Sequence, residues 1–176
     1  MIHLNGNHHV GPLRQPRAPR QPRPSWCDRP RRNAGDVRGA RHPPLRIQRS
    51  QTDPLHLVQL WIFPSHNGLE PRWEQRAYPP AERSGKLLPV VSDGGTPGTL
   101  SIDQDAQIFI AHLGTGEKAA HSMSPGRKAY AFLISGEASL GDSKLQPSDQ
   151  ARIAEEKEIS IEGIRDAELI LLDLPA

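Results

Sequence analysis

"GRKAYAFLISGEASLGDSKLQPSDQARI", residues 126–153, decides the fold. Its first part, Lys128–Gly136, places apolar side chains on both faces and shows no helical spacing. Such a run is a strand buried between two layers. The stretch that follows, "GEASLGDSKLQPSD", predicts two short strands joined by a turn at Gly141-Asp142.

The same grammar extends outward. "AQIFIAHL", Ala106–Leu113, puts Ile108, Ile110 and His112 on one side and Phe109, Ala111 and Leu113 on the other. "EISIEG" and "AELILLDLP" finish the sheet. Upstream, "LHLVQLWIF" sets Leu55, Leu57, Gln59, Trp61 and Phe63 against His56, Val58, Leu60 and Ile62. Both faces are largely apolar, which predicts another strand buried between layers. No long amphipathic helix is evident. Short strands punctuated by Gly, Asp and Pro argue for an all-β fold, a sandwich or barrel.

Before Ser50 the chain changes character. Residues 1–50 hold 11 Arg, no Lys, no Glu and two Asp (Asp28 and Asp36), a balance of +9. Residues 51–176 hold 11 Lys and Arg against 18 Asp and Glu, a balance of −7; together they give the net +2 of the whole chain. The first part also holds 8 of the 18 prolines and few large apolar residues. It cannot bury enough surface to offset the entropy of ordering, so residues 1–49 are expected to be disordered. The rest is large enough for its own core.

Cys27 is the single cysteine, which excludes an internal disulfide and a cysteine-based metal cluster. No apolar run approaches the ~20 residues of a membrane span. The N-terminal residues lack the apolar core of a secretory signal, and a cytoplasmic location is expected.

From Ser50 onward the chain resembles the pirin family. The residues that carry the resemblance are "SQTDPLHLVQLWIFPSHNGLEPRWEQRAYP", "GTLSIDQDAQIFIAHLGTGE", the opening stretch quoted above, and the closing "DAELILLDLP". The resemblance implies a two-barrel cupin, each barrel an RmlC-like jelly roll. Linking strands would span 50–98 and the C-terminal cupin barrel 99–176. It also implies a quercetin 2,3-dioxygenase-like activity on a flavonol-like small molecule, or a redox-related regulatory role. The cofactor would be a divalent transition metal, Fe, Ni, Cu or Zn, held in the first barrel of intact members.

Residues 1–49 do not read as that first barrel, but a shifted frame does. "HPPLRIQR", His42–Arg49, can be written CAT CCG CCA CTC CGA ATT CAA CGG. One nucleotide later this gives Ile-Arg-His-Ser-Glu-Phe-Asn. "DVRGAR" permits Met-Ser-Ala-Gly-Arg-Gly in the same frame, and "RQPRAPRQPR" permits Gly-Ser-Leu-Glu-His-Arg-Asp-Ser-Leu-Gly. The three restored pieces resemble, in order, the metal-binding first half of a pirin. Arginine without lysine fits out-of-frame GC-rich codons better than a selected basic arm. The chain is therefore expected to be a damaged pirin, inactive because the metal-binding cupin is missing.

The family's ligands, a His-x-His and the His and Glu of a His-Ser-Glu segment, are absent as translated. His8 and His9 are adjacent and point to opposite sides of any strand. His42 has no Glu partner in residues 1–50. In the second barrel, "GEKAAHSMSPGRKAYAFLISG" places His121 at the first ligand position, Met123 at the second, and Arg127 and Lys128 near the expected carboxylate. One ligand of four does not hold a divalent ion. No catalytic residue, cofactor site or metal site is assigned to this chain, with His121 the one candidate ligand. His121 and Tyr130 are the polar candidates for a small-molecule pocket in the barrel mouth, against a barrel filled by its own side chains. His112, in an apolar strand, is expected to be a hydrogen-bonded structural histidine.

A second function class is a metal-free β-barrel interaction module whose basic arm binds nucleic acid or an acidic partner, with salt-sensitive affinity. The absence of lysine disfavours nucleic acid. If the first barrel is lost, Trp61 and Phe63 become exposed, and self-association or aggregation is expected.

Overall fold

The computed structural model describes residues 4–6, 52, 56–70 and 74–175. Among these, the residues up to Trp61 belong to one unit and those from Ile62 onward to another. The expected disorder of residues 1–49 lies outside the described residues, apart from Leu4–Gly6. Those three form a strand, a departure from that expectation.

In the first unit, β1 (Leu4–Gly6) pairs antiparallel with β2 (Val58–Leu60), Leu4 opposite Leu60 and Gly6 opposite Val58. The strand expected over Leu55–Phe63 is thus only three residues long among the described residues. Its odd-numbered side chains are not buried: Leu57 and Trp61 are 42% and 58% exposed. Two apolar faces are buried only where a layer covers each of them.

In the second unit, the elements are α1 (Pro80–Arg83), β3 (Leu88–Ser92), β4 (Leu100–Ser101), β5 (Gln107–Leu113), β6 (Lys118–Ser122), β7 (Lys128–Leu140), β8 (Ser143–Leu145), β9 (Gln150–Ala154) and β10 (Glu158–Leu174). The fold is all-β, with one four-residue helix among the described residues. The strands run β4-β3-β5-β10-β7-β8, with β6 on β10 and β9 on β7. The expected strand over Ala106–Leu113 and the turn at Gly141-Asp142 are both present.

Two long strands make the sheet into a barrel. β10 spans 17 residues and β7 spans 13. The first half of β10 pairs with β6, Ile159 opposite His121, and with the far half of β7, Ile161 opposite Leu140. Its second half pairs with β5, Leu171 opposite Phe109, and with the near half of β7, Leu171 opposite Ala131. Between these halves the register slips from Gly163 to Leu169. Such irregularities bend a strand and raise its twist. "EISIEG" and "AELILLDLP" are therefore one strand serving both halves of the barrel.

The bend depends on two glycines. Gly136 has φ +76°, and a Cβ there would lie 2.2 Å from the carbonyl oxygens of Arg165 and Asp166. A Cβ on Gly163 would lie 2.3 Å from the Gly114 carbonyl oxygen. Gly163 also donates to the Glu117 carbonyl and accepts from the Gly116 amide, at 2.9 and 2.7 Å.

The interior is filled by one face of each strand. Phe109, Ala111 and Leu113 from β5 meet Ala129, Ala131 and Leu133 from β7 and Leu169 and Leu171 from β10. Ala119 of β6 and Ile159 and Ile161 from the first half of β10 join them. Small and large side chains alternate, as a narrow barrel requires. The outward side of the same strands is also apolar in part: Ile108, Phe132, Ile170 and Leu172 are buried outside that cluster. This is why the strands read as continuous apolar runs.

Candidate functional site

The inward register of β10 runs Leu169, Leu171, Asp173, so a carboxylate follows two core leucines into the barrel. Asp173 is 4% exposed. A buried charge in such a place must be paired and hydrogen-bonded. Its strand partners, Gln107 on β5 and Ala129 on β7, offer no charge. The pairing comes from elsewhere.

His121 supplies one partner. Ala119, His121 and Met123 occupy alternate positions on and just after β6; Ala119 and Met123 belong to the core cluster, and His121 shares their face. His121 Nε2 lies 2.8 Å from Asp173 Oδ2. A carboxylate only accepts, so Nε2 carries the proton in this contact. The imidazole also packs on Phe109, with ring centroids 4.6 Å apart and planes tilted by 52°.

Arg127 supplies the other. It follows a turn in which its amide donates to the Ser124 carbonyl, and it stands just before β7. Its Nε donates to Asp173 Oδ1 at 2.5 Å. Its Nη1 donates to both carboxylate oxygens of Asp105, at 2.9 and 3.0 Å. Burial alone would lower the Arg127 pKa. The hydrogen bonds and negative charges of Asp173 and Asp105 outweigh it, and the value is raised.

The result is a line of four groups, Asp105–Arg127–Asp173–His121, at the end of the barrel where β5 begins and β10 ends. This donor set does not fit a divalent ion. Both Asp173 oxygens are engaged, Arg127 places a fixed positive charge among them, and His121 is the single imidazole. Among the described residues, no three His, Cys, Asp or Glu side chains converge as a metal would need. The arrangement ties β6, the start of β7 and the end of β10 together.

The other singled-out residues lie apart. Tyr130 alternates with the inward Ala129 and Ala131, so it faces away from His121's interior position. Its hydroxyl donates to Gln150 Oε1. Burial raises the Tyr130 pKa, against a smaller lowering by Arg152. His112 Nε2 lies 3.5 Å from the exposed Asp166 Oδ1. Arg83 of α1 pairs with Glu168 of β10. Asp173 and Asp105 were not singled out by sequence. The signal available for Asp173 was a lone acid in an inward apolar register.

No helix among the described residues is long and apolar enough to cross a membrane.

Comparison with known proteins agrees with this architecture. Residues 89–174 match the family model described as the quercetinase C-terminal cupin domain. A quercetin 2,3-dioxygenase of Escherichia coli strain K12 is 35% identical over 126 residues, covering 72% of this chain and 53% of that protein. The crystal structure of YhhW from Escherichia coli matches with a TM-score of 0.64 at 32% identity, covering 68% of this chain and 50% of that one. A second structure, described as the bacterial pirin YhhW in complex with nickel(II), matches with a TM-score of 0.63 at 32% identity, covering 68% and 51%. The chain spans about half the length of the curated relatives it matches. With an all-β barrel of this topology and these matches, the chain belongs to the pirin family, and residues 89–174 are its C-terminal cupin domain.

Proposed function

We propose that this chain carries the metal-free C-terminal half of a quercetin 2,3-dioxygenase-like pirin and, as translated, does not catalyse dioxygenation. The observation that carries the reading is Arg127, whose guanidinium lies between Asp105 and Asp173. Imidazole and carboxylate suit a transition ion; a guanidinium at hydrogen-bond distance from the same carboxylate repels one. The ion of an intact member would then belong to the first barrel. The nickel(II) described for the similar pirin supports a metal in intact members, and the relatives' name supports a flavonol-like substrate.

Residues 1–49 lack a His-x-His and a paired His and Glu. Their one-nucleotide-shifted reading restores a His-Ser-Glu segment. On this proposal the division is residues 1–49 out of frame, 50–98 linking strands and 99–176 the C-terminal barrel, in a cytoplasmic protein. Resequencing the codons of Arg49 and Ser50, with metal analysis of the purified chain, tests it. An added or lost base and no stoichiometric Fe, Ni, Cu or Zn are expected, with no quercetin turnover. A frame-corrected gene should yield both metal and turnover. A clean in-frame gene, or a tightly held ion in the translated chain, overturns the proposal.

A second reading rests on the +9 balance of residues 1–50 against −7 for the rest. It makes the barrel an interaction module whose basic arm binds nucleic acid or an acidic partner. Gel shifts in rising salt test it: binding at low salt that vanishes without residues 1–49 would favour it.

A further inference from the structure

The described residues contain three places where Asn or Asp precedes Gly: Asn5–Gly6, Asn67–Gly68 and Asp93–Gly94. Such pairs can close a succinimide, because glycine presents no side chain against the approach of its own amide nitrogen. Whether they do depends on how firmly the fold holds that nitrogen and the side-chain carbonyl apart.

Two of the three are held. Gly94 donates its amide to Ser92 Oγ at 3.2 Å, and Asp93 Oδ1 accepts from the Gly95 amide at 3.1 Å. Asn5–Gly6 lies in the extended β1 ladder, Asn5 opposite Gln59 and Gly6 opposite Val58. Asn67–Gly68 differs in every respect. Residues 65–67 form an exposed bend, Asn67 and Gly68 are both exposed, and nothing lies within 4 Å of the position a Gly68 Cβ would take. Among the described residues, no hydrogen bond reaches the Asn67 side chain or the Gly68 amide.

We propose that Asn67–Gly68 is a spontaneous deamidation site of the folded chain. The Gly68 amide nitrogen attacks the Asn67 side-chain carbonyl carbon and gives its proton to water. A C–N bond forms, the bond to the side-chain NH2 breaks, and ammonia leaves. Water then opens the succinimide at either carbonyl, leaving aspartate or isoaspartate; no oxidant or reductant takes part. The new carboxylate follows His66 in the chain, and His66 lines an open cleft with Asp93, Asp103 and Asp105.

The test incubates the purified full chain at neutral pH, folded and in denaturant, and maps isoaspartate by methyltransferase labelling and peptide mass. In the folded chain, Asn67 is expected to be modified several-fold faster than Asn5, which has the same Asn-Gly chemistry. In denaturant that gap closes and Asp93 also begins to isomerise. Asn67→Gln removes the labelled peptide and the accompanying acidic form on ion exchange. Equal rates at Asn5 and Asn67 in the folded chain, or no product at Asn67, overturns the proposal.

Discussion

His121 on β6 and Asp173 on β10 meet at 2.8 Å although 52 residues separate them in sequence. The contact joins β6 to the end of β10, whose first half is the part that pairs with β6. Asp173 also takes the Arg127 Nε at 2.5 Å, so one buried carboxylate anchors two elements.

Removing that carboxylate leaves Arg127 and His121 without their buried partner. Asp173→Ala is expected to cost about 3–5 kcal/mol, because an uncompensated charge remains inside. Replacing the set together, as Asp173→Leu with Arg127→Met and His121→Phe, should cost far less than the single change. Urea unfolding of the variants measures both. A single change within about 0.5 kcal/mol of the parent would mean that the line of ion pairs is not a strut.

The bend in β7 and β10 should tolerate no side chain at two positions. Gly136→Ala and Gly163→Ala each drive a Cβ within 2.3 Å of a backbone carbonyl oxygen. Gly136 also has a left-handed backbone that alanine disfavours. Each is expected to lower stability by well over about 1 kcal/mol, read as a loss of soluble yield or a marked fall in Tm. Gly126→Ala, with the same left-handed backbone (φ +80°) but no atom within 4 Å of the added Cβ, is the milder control that isolates the clash.

Core truncation should be costly in the ordinary way. Leu133 and Leu171 are both 0% exposed. Leu133→Ala or Leu171→Ala is expected to cost ~2–5 kcal/mol, a transfer loss plus a cavity, by denaturant melts.

The chain has two tyrosines, and both phenols are raised. For Tyr78, burial raises the value, against a lowering by Arg76 and a backbone hydrogen bond; for Tyr130, burial exceeds Arg152. A raised folded value favours the protonated phenol in the fold. Its stability contribution is complete below the unfolded value of about 10 and is lost as pH rises through the folded values. The phenolate absorbance of the native chain should therefore rise at higher pH than that of the denatured chain. Tyr130→Phe should remove one of the two late steps. Coincident native and denatured curves would contradict this.

Trp61 and Phe63 are 58% and 62% exposed, large apolar side chains of a kind that promotes association. Size-exclusion chromatography should show self-association that Trp61→Ser with Phe63→Ser reduces. A monomer unaffected by concentration would count against it.

Much of the barrel was legible from alternation alone. β5 and the Gly141-Asp142 turn follow from side chains that switch faces every residue. The continuity of β7 and β10 was not legible. Gly136 and Gly163 read as strand ends, because punctuation in sequence does not distinguish a stop from a bend; only the opposing carbonyls reveal the bend. His121 was visible as a histidine in a familiar place. Its role was not, since Asp173 hides inside "ILLDLP" and its partners come from distant segments. An acid in an inward register calls for a cation, but nothing local says which one.

Because β10 pairs with β5, β6 and β7 and is also the latest described strand in the chain, the barrel sheet cannot be completed before it has been synthesised. β5 has β3 beside it on one edge but must wait some sixty residues for its other neighbour, Phe109 for Leu171. Closure is therefore a late event on the ribosome's timetable, and slow by topology. The interval before the seventeenth residue of that strand emerges is when a holding chaperone would matter most to this chain.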